Sequence, residues 1–222
     1  MSTARAIAPG EYYHVFNRGA HRFGIYKGKT DYLRFLFLIL YSQSALTFPQ
    51  IGRIARSGSV SKGFVVPLET EEKIISERFV ELTVFALMPN HFHLLLKAGT
   101  QEGVARYMHR IETAYTLYFN TKYEGSGHVF QGRYKAIHVK DDRQLMYLSA
   151  YIHRNPRELQ VWKGKEFEYP WSSLQDYTGA NRWGGLLATD IIASRFNATQ
   201  KSNYADFVKT SPAKLLKEEF KS

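Results

Sequence analysis

His91 and His93 stand at the head of the second of two apolar runs in Phe85-Ala86-Leu87-Met88-Pro89-Asn90-His91-Phe92-His93-Leu94-Leu95-Leu96-Lys97. Alternate side chains of a strand share a face, so the two imidazoles point one way while Phe92 and Leu94 point the other. A pair of imidazoles left in an apolar core without partners costs free energy. On an accessible face the same pair is able to hold one divalent cation through its ring nitrogens. An ordinary half-exposed polar sheet face has the same spacing, and the pair alone leaves that reading open. Tyr147, Tyr151 and Asn155 recur at intervals of four, which puts them on one face of a helix. Leu145, Leu148 and Ile152 form the neighbouring apolar stripe that would dock this helix on the sheet. Tyr151 then sits at the border between buried and open faces, from which its hydroxyl is able to project toward the histidines. As one of 15 tyrosines, it is also what an amphipathic packing residue looks like.

The elements that must position these groups follow from the periodicity. Residues 12–18 read as a first strand, ended by Gly19. Residues 31–41 are too long for a buried strand and follow Thr30, a suitable N-cap, so they read as a helix. From 42 to 79 the pattern dissolves into short apolar pieces between glycines, Pro67 and serines. That stretch is expected to be an insertion, partly mobile, with a short helix near 69–77. Residues 80–87 and 91–97 pair as a hairpin around the Met-Pro-Asn turn. Residues 103–123 are helical, because Val104, Met108, Ile111, Tyr115 and Tyr118 share a stripe. Those two tyrosines are rivals of Tyr151 that the stripe assigns to packing. Residues 129–139 read as a strand with Gln131, Arg133 and Lys135 on one face, and a helix capped by Asp141 or Asp142 runs to Arg154, where Asn155-Pro156 stops it. Residues 205–220 have a helical pattern. Strand, helix, strand pair, helix, strand, helix suggests an antiparallel α+β sandwich of the split βαβ kind.

Composition narrows the function classes. The chain has 222 residues, 44% hydrophobic and 23% charged, and no cysteine, which leaves no disulfide framework and no thiolate zinc site. Neither a signal peptide nor a membrane span is expected: the longest apolar run, 35–41, is too short to cross a bilayer. A cytoplasmic location fits. The formal net charge of +10 favours polyanionic partners. Residues 103–165 carry eleven Lys/Arg against five Asp/Glu, so more than half of the surplus falls there. Arg133, Lys135 and Gln131 form a candidate phosphate-facing stripe, with Arg106 and Arg110 as weaker candidates. His153 and Arg154, at the end of the last helix, are further candidate contacts to such a partner. His14 and His128 have no evident role in the sequence.

Five segments occur in order: Tyr13-His14-Val15-Phe16-Asn17-Arg18-Gly19, Leu87-Met88-Pro89-Asn90-His91-Phe92-His93-Leu94-Leu95-Leu96, Phe130-Gln131-Gly132-Arg133-Tyr134-Lys135, Tyr151-Ile152-His153-Arg154-Asn155-Pro156 and Pro170-Trp171-Ser172-Ser173. Together they resemble the single-tyrosine transposases of the HUH class, in particular the IS200-like and REP-associated members, over residues 11–178. The resemblance implies a ferredoxin-like antiparallel sheet with helices on one face. It implies a catalytic domain over 1–178, with 42–79 an insertion and 179–222 a C-terminal extension, partly helical or disordered. It assigns His91 and His93 to Mg²⁺ or Mn²⁺, Tyr151 to nucleophilic attack, and Asn155 to a third metal position. IS200-like members usually carry Gln at that last position, and the shorter Asn puts direct ligation in question. The implied substrate is single-stranded DNA with a hairpin, and the implied product a 5′-phosphotyrosine with a free 3′-hydroxyl.

IS200-like members are dimers that share tyrosine and histidines between chains, whereas REP-associated ones tend to act as monomers. The Pro-Trp-Ser-Ser segment favours the latter. Two other readings stay open at this point: a non-catalytic hairpin-binding module of the same fold, and a metal-dependent hydrolase that uses water in place of Tyr151.

Overall fold

The computed structural model describes residues 7–196 and 201–212. Strand β1, Tyr12–Arg18, is followed by helices α1 (Lys29–Tyr41), α2 (Ile51–Ser57) and α3 (Leu68–Ser76). The hairpin β2 (Val80–Met88) and β3 (His91–Ala98) comes next, then α4 (Gly103–Lys122), β4 (Lys135–His138) and α5 (Asp142–Arg154). After α5 come α6 (Leu174–Thr178), α7 (Asp190–Ala193) and α8 (Lys201–Thr210). The four strands form one antiparallel sheet in the order β2-β3-β1-β4, which is the ferredoxin-like order.

Alternation along the strands divides the core in two. Val15, Phe92, Leu94 and Leu96 face α1 and α4, where they meet Phe35, Ile39, Met108 and Ile111. Val84, Ala86 and Leu95 face the other way, against Leu145, Leu148 and Ile152 of α5 and against Leu174, Tyr177, Tyr204 and Val208. The two crossover helices share one face, as expected, while α5 and the helices after it cover part of the opposite one. Asp31 ties the start of α1 to the end of α4. Its buried carboxylate accepts hydrogen bonds from the Lys27 and Gly28 amides, the Lys122 ammonium and the Tyr118 and Tyr123 hydroxyls. Gly103 lets α4 begin against the hairpin, because a Cβ there would stand 2.1 Å from the Phe79 carbonyl oxygen.

The Pro-Trp-Ser-Ser segment closes the β2 edge. Leu87 N–H donates to the Trp171 carbonyl, Ser173 N–H to the Phe85 carbonyl, and Phe85 N–H to Ser173 Oγ at 2.9 Å. A sheet edge left open would be a site for unwanted pairing.

Two expectations need correction. The strand expected over 129–139 is only β4, because Gly132 adopts φ +71° and 131–133 bend out of the sheet. Gln131 and Arg133 therefore do not alternate with Lys135 on a strand. The 42–79 stretch also holds a second helix, α2, whose pattern was too short to read. Of the helix expected over 205–220, α8 accounts for the part up to Thr210, and 213–220 lie outside the described residues.

Glu112 on α4 accepts a hydrogen bond from Asn17 Nδ2 at 2.8 Å. Burial pushes its carboxyl from 4.5 up to about 7, against the opposing pull of the Asn17 bond. A folded-state pKa above the unfolded one means that ionising Glu112 opposes folding. That penalty grows as the pH rises from 4.5 through about 7 and is complete above it. Glu112→Gln is expected to stabilise the protein at pH 8 by about 1–2 kcal/mol and to change little at pH 5. Thermal unfolding at the two pH values checks this; an equal shift at both would contradict it.

Candidate active site

Strand pairing brings the site together. In the β1–β3 register Arg18 lies opposite His91 and Phe16 opposite His93. Directly paired residues share a face, so Arg18, Phe16 and His14 stand on the histidine side of the sheet. The last turn of α5 crosses this face and carries Tyr151. The ring centroids of Tyr151 and His93 are 5.7 Å apart at 79°, and those of Tyr151 and His14 are 6.1 Å apart at 81°. His91 and His93 lie 5.1 Å apart at 87°. Asn155 caps α5, donating from Nδ2 to the Tyr151 carbonyl at 2.9 Å. Its amide stands near enough to His91 and His93 to favour their protonated forms.

Each histidine is oriented by a second residue. His91 Nδ1 donates to Asn90 Oδ1 at 2.7 Å, which leaves the lone pair of this ring on Nε2. His93 Nδ1 is hydrogen-bonded to His14 Nε2 at 2.9 Å, one ring donating and the other accepting, and the two rings stack with 5.1 Å between centroids. When His93 donates, its Nε2 also keeps its lone pair. Asn90 and His14 are placed as outer partners are placed around cation-binding histidines.

The electrostatics keep these rings neutral. Burial lowers the pKa of His14 to about 3 and that of His91 to about 4, with Asn155 pulling His91 back up and Arg18 pulling it down. His93 is held well below the ordinary imidazole value by burial, then by His14, His91 and Arg18. Neutral imidazoles are the form that binds a cation. The phenol of Tyr151 is pushed above its ordinary value, first by burial and then by Glu158, while the charge on Arg18 works to lower it.

Residues 67–155 match the model of a family described as IS200-like transposase. Over that segment the chain is similar to the IS200-like transposases. His91, His93, Tyr151 and Asn155 all fall inside the match, and β1 falls outside it. No curated protein matches the chain. A solved structure titled "Structure of the REP associates tyrosine transposase bound to a REP hairpin" is similar at TM-score 0.49 and 16% identity, covering 79% of this chain and 84% of that one.

The four residues taken from the motifs lie on one side of the sheet, and of the basic candidates only Lys135, paired with Phe16, shares that face. Gln131, Arg133 and Lys135 are exposed on the turn before β4 and its first residue. Arg106 lies over the Phe79 ring, 4.7 Å from its centroid, and Arg110 donates to the carbonyls of Ala45 and Leu46. Both are on α4, across the sheet from Tyr151. The Arg154 guanidinium donates to the Ser211 carbonyl beyond α8. His153 is fully buried and bonds Tyr204 OH and Ser173 Oγ at 2.6 and 2.8 Å, so it is a structural latch and not a DNA contact. The rival tyrosines are engaged elsewhere: Tyr115 donates to the Ile25 carbonyl and Tyr118 to Asp31. His14, with no role evident in the sequence, lies against His93 and Tyr151. Arg18 and Asn90 were legible only as motif letters.

Proposed function

We propose that this chain is a metal-dependent DNA strand transferase that cleaves single-stranded DNA near a hairpin through Tyr151 and rejoins it to a 3′-hydroxyl. The approach of Tyr151 to His93 and His14 within one chain, with Asn155 against both metal-type histidines, carries this reading. Mg²⁺ or Mn²⁺ would be held by His91 and His93, with Asn155 as the third donor. The residues present fit such an ion: two neutral imidazoles, each oriented through Nδ1, stand on the face of the sheet that α5 crosses with the Asn155 amide. Bound there, the ion would supply Lewis-acid polarisation of the phosphoryl oxygens. Imidazole donors favour Mn²⁺ over the harder Mg²⁺, and a set this lean implies modest affinity.

The rest of the chemistry belongs to the chain. The Tyr151 oxygen forms a bond to phosphorus as the bond to the 3′-oxygen breaks. The phenolic proton leaves to solvent and the departing oxygen takes one up. Burial makes that phenol harder to ionise, and Arg18 beside it supplies the compensating positive charge and a guanidinium able to pair the phosphate oxygens. One phosphodiester replaces another, so a 3′-hydroxyl reverses the step without ATP.

Labelled single-stranded DNA bearing a hairpin, incubated with Mn²⁺, tests this reading. A protein–DNA adduct that survives denaturation is expected. Tight binding without cleavage would favour the non-catalytic module, and cleavage that persists in Tyr151→Phe would favour a water-using hydrolase. His14→Ala is expected to weaken Mn²⁺ binding by about tenfold, since outer partners of ligating histidines have effects of that order. Hairpin affinity should hold. Unchanged Mn²⁺ affinity, read by electron paramagnetic resonance titration, would assign His14 to packing alone.

A further inference from the structure

Beyond the end of β1 the chain opens a cleft of about 690 Å³, walled by residues 20–23 on one side and by 128 and 130–132 on the other. It is tied directly to the site. Gly19 N–H donates to the Asn90 carbonyl, Gln131 N–H to the Arg18 carbonyl, and Asn90 Nδ2 to the Arg22 carbonyl at 3.3 Å. Asn90 therefore holds the cleft wall with one end of its amide and His91 with the other.

The wall is built at a cost. His21 and Arg22 take φ +51° and +63°, left-handed conformations that are uncommon for residues other than glycine. Such conformations persist where surrounding structure over-determines them, often beside ligands. Here the hold is the Arg22 N–H to the Gly19 carbonyl, Phe23 N–H to Ala20, and Ala20 N–H to Val129. Gly19 permits the tight curl, because a Cβ there would stand 2.3 Å from the Phe23 carbonyl oxygen.

The lining has the chemistry of a nucleotide site. Phe23 offers an apolar ring, His21 and His128 exposed imidazole planes, Gln131 an amide for base edges, and Arg22 the only formal charge among the lining residues. The volume lies within the range of about 300–1,000 Å³ usual for small-ligand clefts, enough for one nucleotide and too small for a duplex. We propose that this cleft seats a single unpaired nucleotide next to the phosphodiester presented to Tyr151, with its base against Phe23 and the imidazoles and its phosphate on Arg22. Aromatic and imidazole planes recognise unstacked bases by stacking, and a guanidinium fixes the backbone beside them. The inference rests on the strand-transferase reading and adds where the strand is gripped.

The test uses the full chain as the Tyr151→Phe variant, so that binding is read without cleavage. Each unpaired position of a hairpin-bearing oligonucleotide is replaced in turn by an abasic residue. One position is expected to weaken binding by about tenfold, the size of a lost stacking contact. Adding Ala20→Trp, which fills the cleft, should erase the difference between abasic and intact DNA at that position. Adding Arg22→Ala should weaken binding and flatten its salt dependence, a readout that stands even where Ala20→Trp disturbs folding. Equal binding at every abasic position, or discrimination that survives Ala20→Trp in a folded protein, would overturn the cleft assignment. These outcomes are separate from the fate of the strand-transferase reading, which is judged by whether the unsubstituted protein forms a covalent adduct through Tyr151.

Discussion

Tyr151→Phe is expected to abolish covalent capture of DNA, a loss of at least about a thousandfold in cleavage. The substitution removes one oxygen, the atom proposed to bond to phosphorus. The ring stays, and with it the edge contacts to His14 and His93 at 6.1 and 5.7 Å. Folding stability should change by no more than about 1 kcal/mol, because no core volume is lost. Hairpin affinity should persist, since binding draws on groups spread over the basic surface. Gel analysis of labelled DNA after denaturation, with a thermal melt of the same preparation, checks both halves. A large drop in melting temperature would mean that the hydroxyl supports the fold and that the loss of activity says nothing about chemistry.

The second large effect belongs to the histidines, and the structure separates the two. His91→Ala and His93→Ala are each expected to eliminate cleavage and Mn²⁺ binding while leaving hairpin binding largely intact. His91 is only partly buried, and its Nδ1 partner, Asn90, keeps its bond to Arg22, so His91→Ala should fold normally. His93 is 2% exposed and bonded to the buried His14. Its removal strands a buried ring nitrogen, which costs about 1–3 kcal/mol. His91→Ala is therefore the cleaner test. Isothermal titration with Mn²⁺ reads it directly: saturable binding retained by both variants would remove the cation from these residues.

Much of the site was legible in the sequence because its parts obey local rules. The two-residue spacing of His91 and His93 fixes their common face once the segment is a strand, and the intervals of four along α5 set Tyr151 and Asn155 together. The apolar stripe of α4 correctly consigned Tyr115 to the core. His14 escaped notice for a long-range reason: it joins the site only through the β1–β3 pairing, 79 residues from its partner. Strand parity would have found it, as would the pairing of Arg18 with His91. The basic stripe was misread because a single positive-φ glycine, Gly132, bends residues that otherwise alternate like a strand. His153 was placed at a helix end, as its position in α5 implies, but the chain returns over it through Ser173 and Tyr204, which no local pattern announces.

The account stands on Tyr151 being the atom donor in a covalent link to DNA, and the most direct measurement is the mass of the proteolytic peptide that carries the nucleotide. After reaction with hairpin-bearing single-stranded DNA and Mn²⁺, followed by nuclease and protease digestion, the phosphonucleotide mass is predicted on the peptide containing Tyr151 and on no other tyrosine. Cleaved DNA with that peptide unmodified, or the added mass on a different residue, would contradict it.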